Sequence, residues 1–305
     1  MSDQESDSGS GDAEDSESDS ESDSDSDCTG IVGLTRGRCG LVFEHVNKDE
    51  ALFFYQEIFV RQEYTRVFST SALSAAGLIV DAGANIGLFS LFCLAEYRSR
   101  LVAVEASSKL CSVLARNLLG KGDFRVVHAC LGDKPKTTEL YYFPDMPGES
   151  TRHLAEHHEQ RQLLHQGPLN HETEVVVCAT LERVLNVESG PIVLLKVDVE
   201  GDELVALKGL GSVWPRVRHC AVEVRDLAGR LSAVRELLLE QGFSVRVVAQ
   251  TSSLVDGYLT TIPPELALFY VFGCRCGACP ELASETAAKR RRVMSPDRVV
   301  CAKMV

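Results

Sequence analysis

Acids stand at the ends of apolar runs throughout this 305-residue chain, and that placement is where chemistry is to be sought first. Leu78-Ile79-Val80 runs into Asp81 and then into Ala82-Gly83-Ala84-Asn85-Ile86-Gly87. Leu101 to Val104 ends in Glu105, and the turn Leu131-Gly132-Asp133 follows a third apolar run. Ile192 to Val197 leads into Asp198 and Glu200, and Cys220 to Val224 carries Glu223. In an open parallel sheet, ligands bind at the carboxyl ends of the strands, so acids far apart in sequence would meet along one edge. The stretch around Asp81 reads as a strand, a tight glycine turn and the start of a helix. Such a turn presents backbone N–H groups and one carboxylate to a nucleotide-like ligand. Asp81 stands where the dinucleotide fingerprint has its first glycine. An acid there disfavours a pyrophosphate and suits a cation. The turn therefore points to S-adenosylmethionine, which carries a sulfonium and an ammonium but no phosphate, rather than to a nicotinamide dinucleotide. Glu105 lies eighteen residues beyond Gly87, close to where an acid commonly accepts the ribose hydroxyls.

Positioning these groups requires alternating elements. The apolar spacing predicts strands at 78–80, 101–104 and 124–129, separated by helices over 86–97 and 109–119. Strand, helix, strand, helix, strand demands a parallel sheet with right-handed crossovers. Further strands are expected at 138–143, 174–179, 192–197, 220–224, 243–249 and 266–273, with helices over 180–187, 202–210 and 227–241. Only loop and turn separate the last two strands, so they are expected to pair antiparallel. Upstream, residues 48–68 read as one helix with Leu52, Tyr55, Phe59 and Gln62 on a face. Residues 28–47 read as irregular, with a short strand at Leu41-Val42-Phe43. Residues 144–171 hold three prolines and five histidines without periodicity and read as an insertion over the ligand end of the sheet.

The net charge of −13 is unevenly spread: residues 1–27 contain twelve acids and no Lys or Arg, and without those acids it falls to −1. A near-neutral folded part argues against a broad phosphate-binding face, and no nucleic-acid partner is expected. The Ser/Asp/Glu-rich start lacks the apolar surface to offset its ordering entropy, so 1–47 is expected as a disordered tail and linker. It has the composition of neither a secretory signal nor a membrane span. Cys93, Cys111, Cys130, Cys178 and Cys220 sit in apolar segments, which fits a reducing, cytoplasmic setting. Residues 274–305 are expected as a Cys-containing basic tail, whose Lys289-Arg290-Arg291-Arg292 resembles a nuclear-import patch.

Two blocks together resemble the FkbM family of S-adenosylmethionine-dependent methyltransferases. They are Ile79 to Gly87 and Leu194-Leu195-Lys196-Val197-Asp198-Val199-Glu200-Gly201-Asp202-Glu203-Leu204, followed by Leu207-Lys208-Gly209. The upstream Phe54-Tyr55-Gln56-Glu57-Ile58-Phe59 and Tyr64 share the likeness, which covers 48–273. The resemblance implies an α/β, Rossmann-like class I methyltransferase domain with a seven-stranded sheet, its last strand antiparallel, and usually O-methylation of a hydroxyl. Carried over by position, Asp81, Gly83, Asn85 and Gly87 form the turn around the methionine part of the cofactor and Glu105 holds the ribose; Ala84 within the turn and the strand-end acid Asp133 are further cofactor-binding candidates. Lys196, Asp198 and Glu200 fall beside the transferring methyl as the catalytic candidates. The chain departs from the family in having Ala106 after Glu105 and Glu182 in a usual Thr-Leu-Asp, and neither change removes a carboxylate.

The expected reaction is methyl transfer to a hydroxyl on a small or medium-sized acceptor, a sugar or secondary metabolite, with Asp198, Glu200 or an insertion histidine as base. A catalytically silent scaffold whose charged tails recruit partners is the alternative. No metal is expected: His153 and His157 share a helical face, but His158, His165 and His171 complete no ligand set. Cys274-x-Cys276-x-x-Cys279 lacks a second cysteine pair, with His219 as the one remote partner. The sequence leaves the oligomeric state open.

Overall fold

A computed structural model describes residues 33–36, 41–97, 99–250, 252–255, 258–261 and 267–275. The acidic run at 1–27, Cys276, Cys279 and the basic patch at 289–292 lie outside the described residues, as do most positions of the two expected tails.

The central sheet has seven strands: β1 (Leu78–Ala82), β2 (Arg100–Glu105), β3 (Phe124–His128), β4 (Ile192–Val197), β5 (His219–Arg225), β6 (Ser244–Gln250) and β7 (Leu268–Cys274). Their order is β6-β7-β5-β4-β1-β2-β3, and β7 alone runs antiparallel to its two neighbours. Both β1 and β4 are buried along their whole length, as their unbroken apolar sequences require of strands covered on two faces. Side chains alternate across the sheet. Ile79, Leu101, Ala103 and Leu194 pack into one apolar layer, while Leu78, Val80, Val102 and Leu195 pack into the other. The helices are α1 (Lys48–Tyr55), α2 (Thr70–Leu73), α3 (Leu88–Glu96), α4 (Ser108–Leu118), α5 (Leu154–Leu163), α6 (Leu181–Leu185), α7 (Glu203–Lys208) and α8 (Arg230–Glu240). The first layer holds residues of α1, α3 and α4; the second holds residues of α6, α7 and α8. This is the doubly wound order of a class I methyltransferase.

Some elements depart from the sequence expectations. The helix expected over 48–68 is α1, capped by the Asn47 side chain on the Glu50 N–H, then a π-helical turn at Gln56–Val60. Stacking of Tyr55 on Phe59, with centroids 4.7 Å apart, accompanies the widened turn. The chain then leaves the helix: Gln62 is exposed in the left-handed region (φ 51°) and Tyr64 is buried. The irregular 28–47 stretch contains a strand at Gly33–Arg36 paired with Val42–His45. A hairpin of Ser252–Val255 and Tyr258–Thr261 lies between β6 and β7. The insertion, expected without regular structure, contains a 3-10 turn at Pro147–Glu149 and the ten-residue α5. Apolar periodicity is absent from α5 because ionic contacts hold it: His157 and Arg161 reach Glu149, and Glu156 meets Arg230. A small sheet of Cys130–Leu131, Glu172–Ala179 and Lys136–Tyr142 leads the chain into and out of this insertion.

At the ligand end, β1 and β4 come together at Gly83. The Asp198 N–H donates to Ala82 O at 3.0 Å, and a Cβ on Gly83 would lie 1.6 Å from Asp198 O. Gly83 also has φ +80°. Gly87, at φ +90°, faces only the tip of Leu114, 2.6 Å from where its Cβ would sit. Gly83→Ala must push rigid backbone aside and should cost about 3 kcal/mol or more. Gly87→Ala displaces a side chain that can turn away and should cost about 1–3 kcal/mol. Urea denaturation of the two variants checks this order, and equal losses would refute the close-approach explanation.

Candidate functional site

Lys196, the fifth residue of β4, points its ammonium under the glycine turn. Its Nζ donates to Gly83 O at 2.8 Å and lies 3.2 Å from both Asp81 Oδ1 and Asp198 Oδ2. The rings of Tyr64 and Phe89 complete the enclosure, with centroids 5.1 and 5.8 Å from Nζ. Burial alone would strip this lysine of its proton, but the two carboxylates outweigh it and hold Lys196 protonated. It is therefore a cation at neutral pH and not a base. Asp81 is fully buried, with Oδ2 accepting from the Ser90 hydroxyl of α3 at 2.7 Å. Asp81 does not line the ligand cavity; it bears on the site through Lys196.

Of the turn residues, Gly83, Ala84 and Asn85 line the cavity. Gly87 does not, and serves as the left-handed N-terminal cap of α3. Asn85 adopts φ 51° and closes the turn on itself, its Oδ1 accepting from Ile86 N at 2.7 Å. Glu105 ends β2, lines the cavity, and accepts from Asn85 N at 2.7 Å and Ser107 N at 2.8 Å. The expectation for Asp133 is corrected. It is exposed on the turn after Leu131 and does not line the cavity, whereas Ala129, Cys130 and Leu131 do. After β3 the chain pairs Cys130–Leu131 with Cys178–Ala179 of the small sheet, and this carries the following acid outward.

The cavity measures about 970 Å³, the upper end of the range for small-molecule sites. Its far walls come from α1 and the π-helical turn, with Leu52, Phe53, Phe54 and Ile58, and from the insertion, with Met146, Pro147 and Leu164. Two hydrogen bonds tie those walls together: Gly148 N to Glu50 Oε1 and Asn47 Nδ2 to Asp145 O, each 2.7 Å. Burial raises Glu50 to about 8 despite that N–H. The insertion thus covers the ligand end of the sheet.

Between the walls lies a corner rich in acids. Asp198, Glu200 and Glu223 bring carboxylate oxygens within 4.8 Å of one another. Tyr64 Oη reaches Asp198 Oδ2 at 3.0 Å and Glu223 Oε2 at 2.5 Å. Glu57, in the π-helical turn, accepts from Tyr270 at 2.5 Å and is raised by burial to about 7. Glu200 sits at φ 44°, and burial raises it to about 8 against the pull of Arg225. Glu203, at the head of α7, is likewise raised by burial to about 7. Tyr64, Glu57 and Arg225 line the cavity without having been picked out by spacing alone. For Tyr64 and Glu57 the signal was polarity in a segment that must pack against the sheet, visible only once the helix over 48–68 was known to break; Arg225 ends β5.

Two of the insertion histidines are engaged by carboxylates. His153 Nε2 lies 3.0 Å from Asp202 Oδ1, which raises its pKa, and Arg152 shares that carboxylate. His157 Nε2 lies 2.8 Å from Glu149 Oε2, with its ring stacked on Phe143. Cys93, Cys111, Cys130, Cys178 and Cys220 are buried thiols. Cys274 is buried at the end of β7 opposite His219, whose Nδ1 meets Val193 O at 2.7 Å.

A strand order with one reversed strand, a glycine turn after β1, a carboxylate ending β2 and an acid-rich cavity at those strand ends define a class I methyltransferase. The Methyltransferase FkbM domain matches residues 81–245. The chain belongs to the FkbM methyltransferase family. Similar proteins include Methyltransferase sdnD of Sordaria araneosa, 32% identical over 67% of this chain and 86% of that protein. Methyltransferase 1 of Beauveria bassiana is 32% identical over 66% and 84%. The 31-O-demethyl-FK506 methyltransferase FkbM of Streptomyces tacrolimicus is 30% identical over 72% and 90%. Among solved structures, M. jannaschii TYW2 in complex with AdoMet covers 80% of this chain and 86% of its own at 9% identity and TM-score 0.40, too remote to bear on the site. Among the described residues no helix is long and apolar enough to cross a membrane.

Removing the ammonium should leave Asp81 as an uncompensated buried charge, so Lys196→Met should lose about 3–5 kcal/mol in urea denaturation. Asp81→Asn together with Lys196→Met should cost clearly less than the sum of the single losses; simple additivity would mean the two groups are not coupled. Glu57 and Glu203 are raised to about 7, and Glu50 and Glu200 to about 8. Each holds a proton in the folded chain that the unfolded chain, with glutamates near 4.3, has lost. Their stabilising contribution is complete below that pH and disappears as pH rises through 7–8. The melting temperature should therefore fall between pH 5 and 9, and a flat or rising profile would contradict the neutral-acid assignment.

Proposed function

We propose that this FkbM-family methyltransferase uses S-adenosylmethionine to methylate a hydroxyl on a small or medium-sized acceptor, with Asp198 as the general base. The observation that carries the reading is the setting of Asp198: its carboxylate lines the cavity and is gripped by Lys196 and Tyr64. The name of the Streptomyces relative, an O-demethyl-FK506 methyltransferase, supports oxygen as the nucleophile.

The residues fit the donor. Gly83, Ala84 and Asn85 offer backbone and amide, Glu105 supplies the carboxylate for ribose hydroxyls, and the cation at this end, Lys196, is already paired with Asp81 and Asp198. Lys196 is therefore committed to two carboxylates, which disfavours a pyrophosphate beside the turn. When bound, S-adenosylmethionine supplies an electrophilic methyl group on sulfur. The protein's own work is alignment, exclusion of water and removal of one proton. Asp198 takes the proton from the acceptor hydroxyl, so that the oxygen gains electron density as it forms its new bond to carbon. Lys196, cationic throughout, stands 3.2 Å from Asp198 and fixes its direction. Glu200, neutral near pH 7, is the weaker candidate for that role and fits better as a hydrogen-bonding wall. The walls at Leu52, Phe53, Phe54, Met146 and Leu164 would cover the apolar body of an acceptor while its hydroxyl reaches Asp198.

S-adenosylhomocysteine at about 100 times its dissociation constant should stabilise the protein by about 2.7 kcal/mol, and NAD should not. Mass spectrometry of a cell extract incubated with protein and methyl-labelled donor should reveal a labelled product. With that product in hand, Asp198→Asn should lower kcat by about 10²- to 10⁴-fold while leaving the homocysteine-induced shift intact. Glu200→Gln should lower it less than tenfold. An Asp198→Asn enzyme at full rate would end the general-base reading; absence of any shift would end the donor reading.

A further inference from the structure

The Tyr64 hydroxyl has one proton but stands within hydrogen-bond distance of two carboxylates, Asp198 and Glu223. It can donate to one of them only. The contact on the other side needs a proton of its own, or two oxygens rich in electrons face each other at 2.5–3.0 Å. The two acids are not equivalent. Asp198 has the Lys196 ammonium 3.2 Å away, whereas no cation stands within ion-pair distance of Glu223 among the described residues.

We propose that Glu223 works as a carboxylic acid: it donates its proton to Tyr64 Oη, which in turn directs the phenolic proton onto Asp198 and so fixes the base. Glu223 is then a positioning residue, and Asp198 is the one member of the chain left anionic. This rests on Asp198 being the proton acceptor of the proposed reaction. The acidic neighbours favour a neutral Glu223, against the Tyr64 contact and the field of Lys196. Asp198 and Glu200 face it from the end of β4, Glu57 from the π-helical turn, and Tyr64 and Tyr270 from the loop after that turn and from β7. The three acids disfavour a further negative charge, and together with burial they outweigh the Tyr64 hydrogen bond, which acts the other way. Lys196 is paired at 3.2 Å with Asp81 and Asp198 and acts on Glu223 only through its longer-range field, and Arg225, on β5 itself, faces Glu200 and Glu149. Burial and these acids together hold Glu223 well above the usual carboxylate range.

The test needs no acceptor. Infrared difference spectra of the full chain at neutral pH, wild type minus Glu223→Gln, should show the carbonyl stretch of a protonated carboxyl, which glutamine lacks. Glutamine can donate to Tyr64 as the acid does, so the variant should keep its response to S-adenosylhomocysteine. In Tyr64→Phe the same band should persist but shift, because its hydrogen-bond acceptor is gone; this arm also decides the matter if Glu223→Gln does not fold. The stability of the wild type relative to Glu223→Gln should fall as pH rises above about 4.3, the unfolded value, towards the raised folded one. Absence of the band from the difference spectrum, or a band unmoved in Tyr64→Phe, would overturn the proposal. So would a band that vanishes when magnesium is added, which would mean that the three clustered carboxylates ionise to hold a cation. A protein that shows the band but ignores S-adenosylhomocysteine would refute the donor reading and leave the protonation of Glu223 standing.

Discussion

A single buried ammonium holds the ligand end of this protein together. Lys196 lies between Asp81 at the end of β1, Asp198 just beyond β4 and the carbonyl of Gly83 in the turn between β1 and α3. A lone charge in that position would be too costly to bury, and two carboxylates without it would repel. With all three present the ends of the two central strands are locked at a fixed separation, which is also the separation that forbids a side chain on Gly83. Such a pair is a weak source of net stability compared with an apolar substitute. Its value lies in specifying where Asp198, the proposed general base, points.

The acid corner follows from the same constraint. Once Asp198 is committed to Lys196, the remaining carboxyls of Glu57, Glu200, Glu203 and Glu223 have too few cations to share, and burial drives them toward their neutral forms. Neutral acids and phenols act as hydrogen-bond donors as well as acceptors, so Tyr64 and Tyr270 can knit the corner without added charge. The fold thereby places two kinds of carboxyl a few ångströms apart, those paired with Lys196 and those that burial pushes toward the neutral form. Such divergence between neighbouring acids is a frequent mark of proton-transfer sites.

The cover over the site is of a different character. The insertion is pinned by Asn47, Glu50, Glu149 and Asp202 through hydrogen bonds and ion pairs rather than by an apolar core. Polar attachments of this kind open at lower cost than packed strands. The proposed general base lies on the rigid sheet, and the surfaces that would contact the acceptor lie on the looser cover.

The succession of strands and helices, the antiparallel pairing of the last two strands and the glycine turn were legible in the residues, because burial on two faces writes an unbroken apolar run and a tight turn writes glycine. The family was legible from the segment 194–209, where lysine, acids and glycine recur at short fixed spacing. Helix α5 was not, since salt bridges to distant residues leave no apolar period to read. Nor was the break after Val60 that turns Tyr64 inward, or the departure of the chain after β3 that leaves Asp133 in solvent. Acids at strand ends could be placed along one edge from sequence alone. Which of them would be ionised, protonated or turned away was decided only when Lys196, Tyr64 and Arg225 arrived from separate elements, because the charge state of a carboxyl depends on neighbours in space and on water excluded by the whole fold.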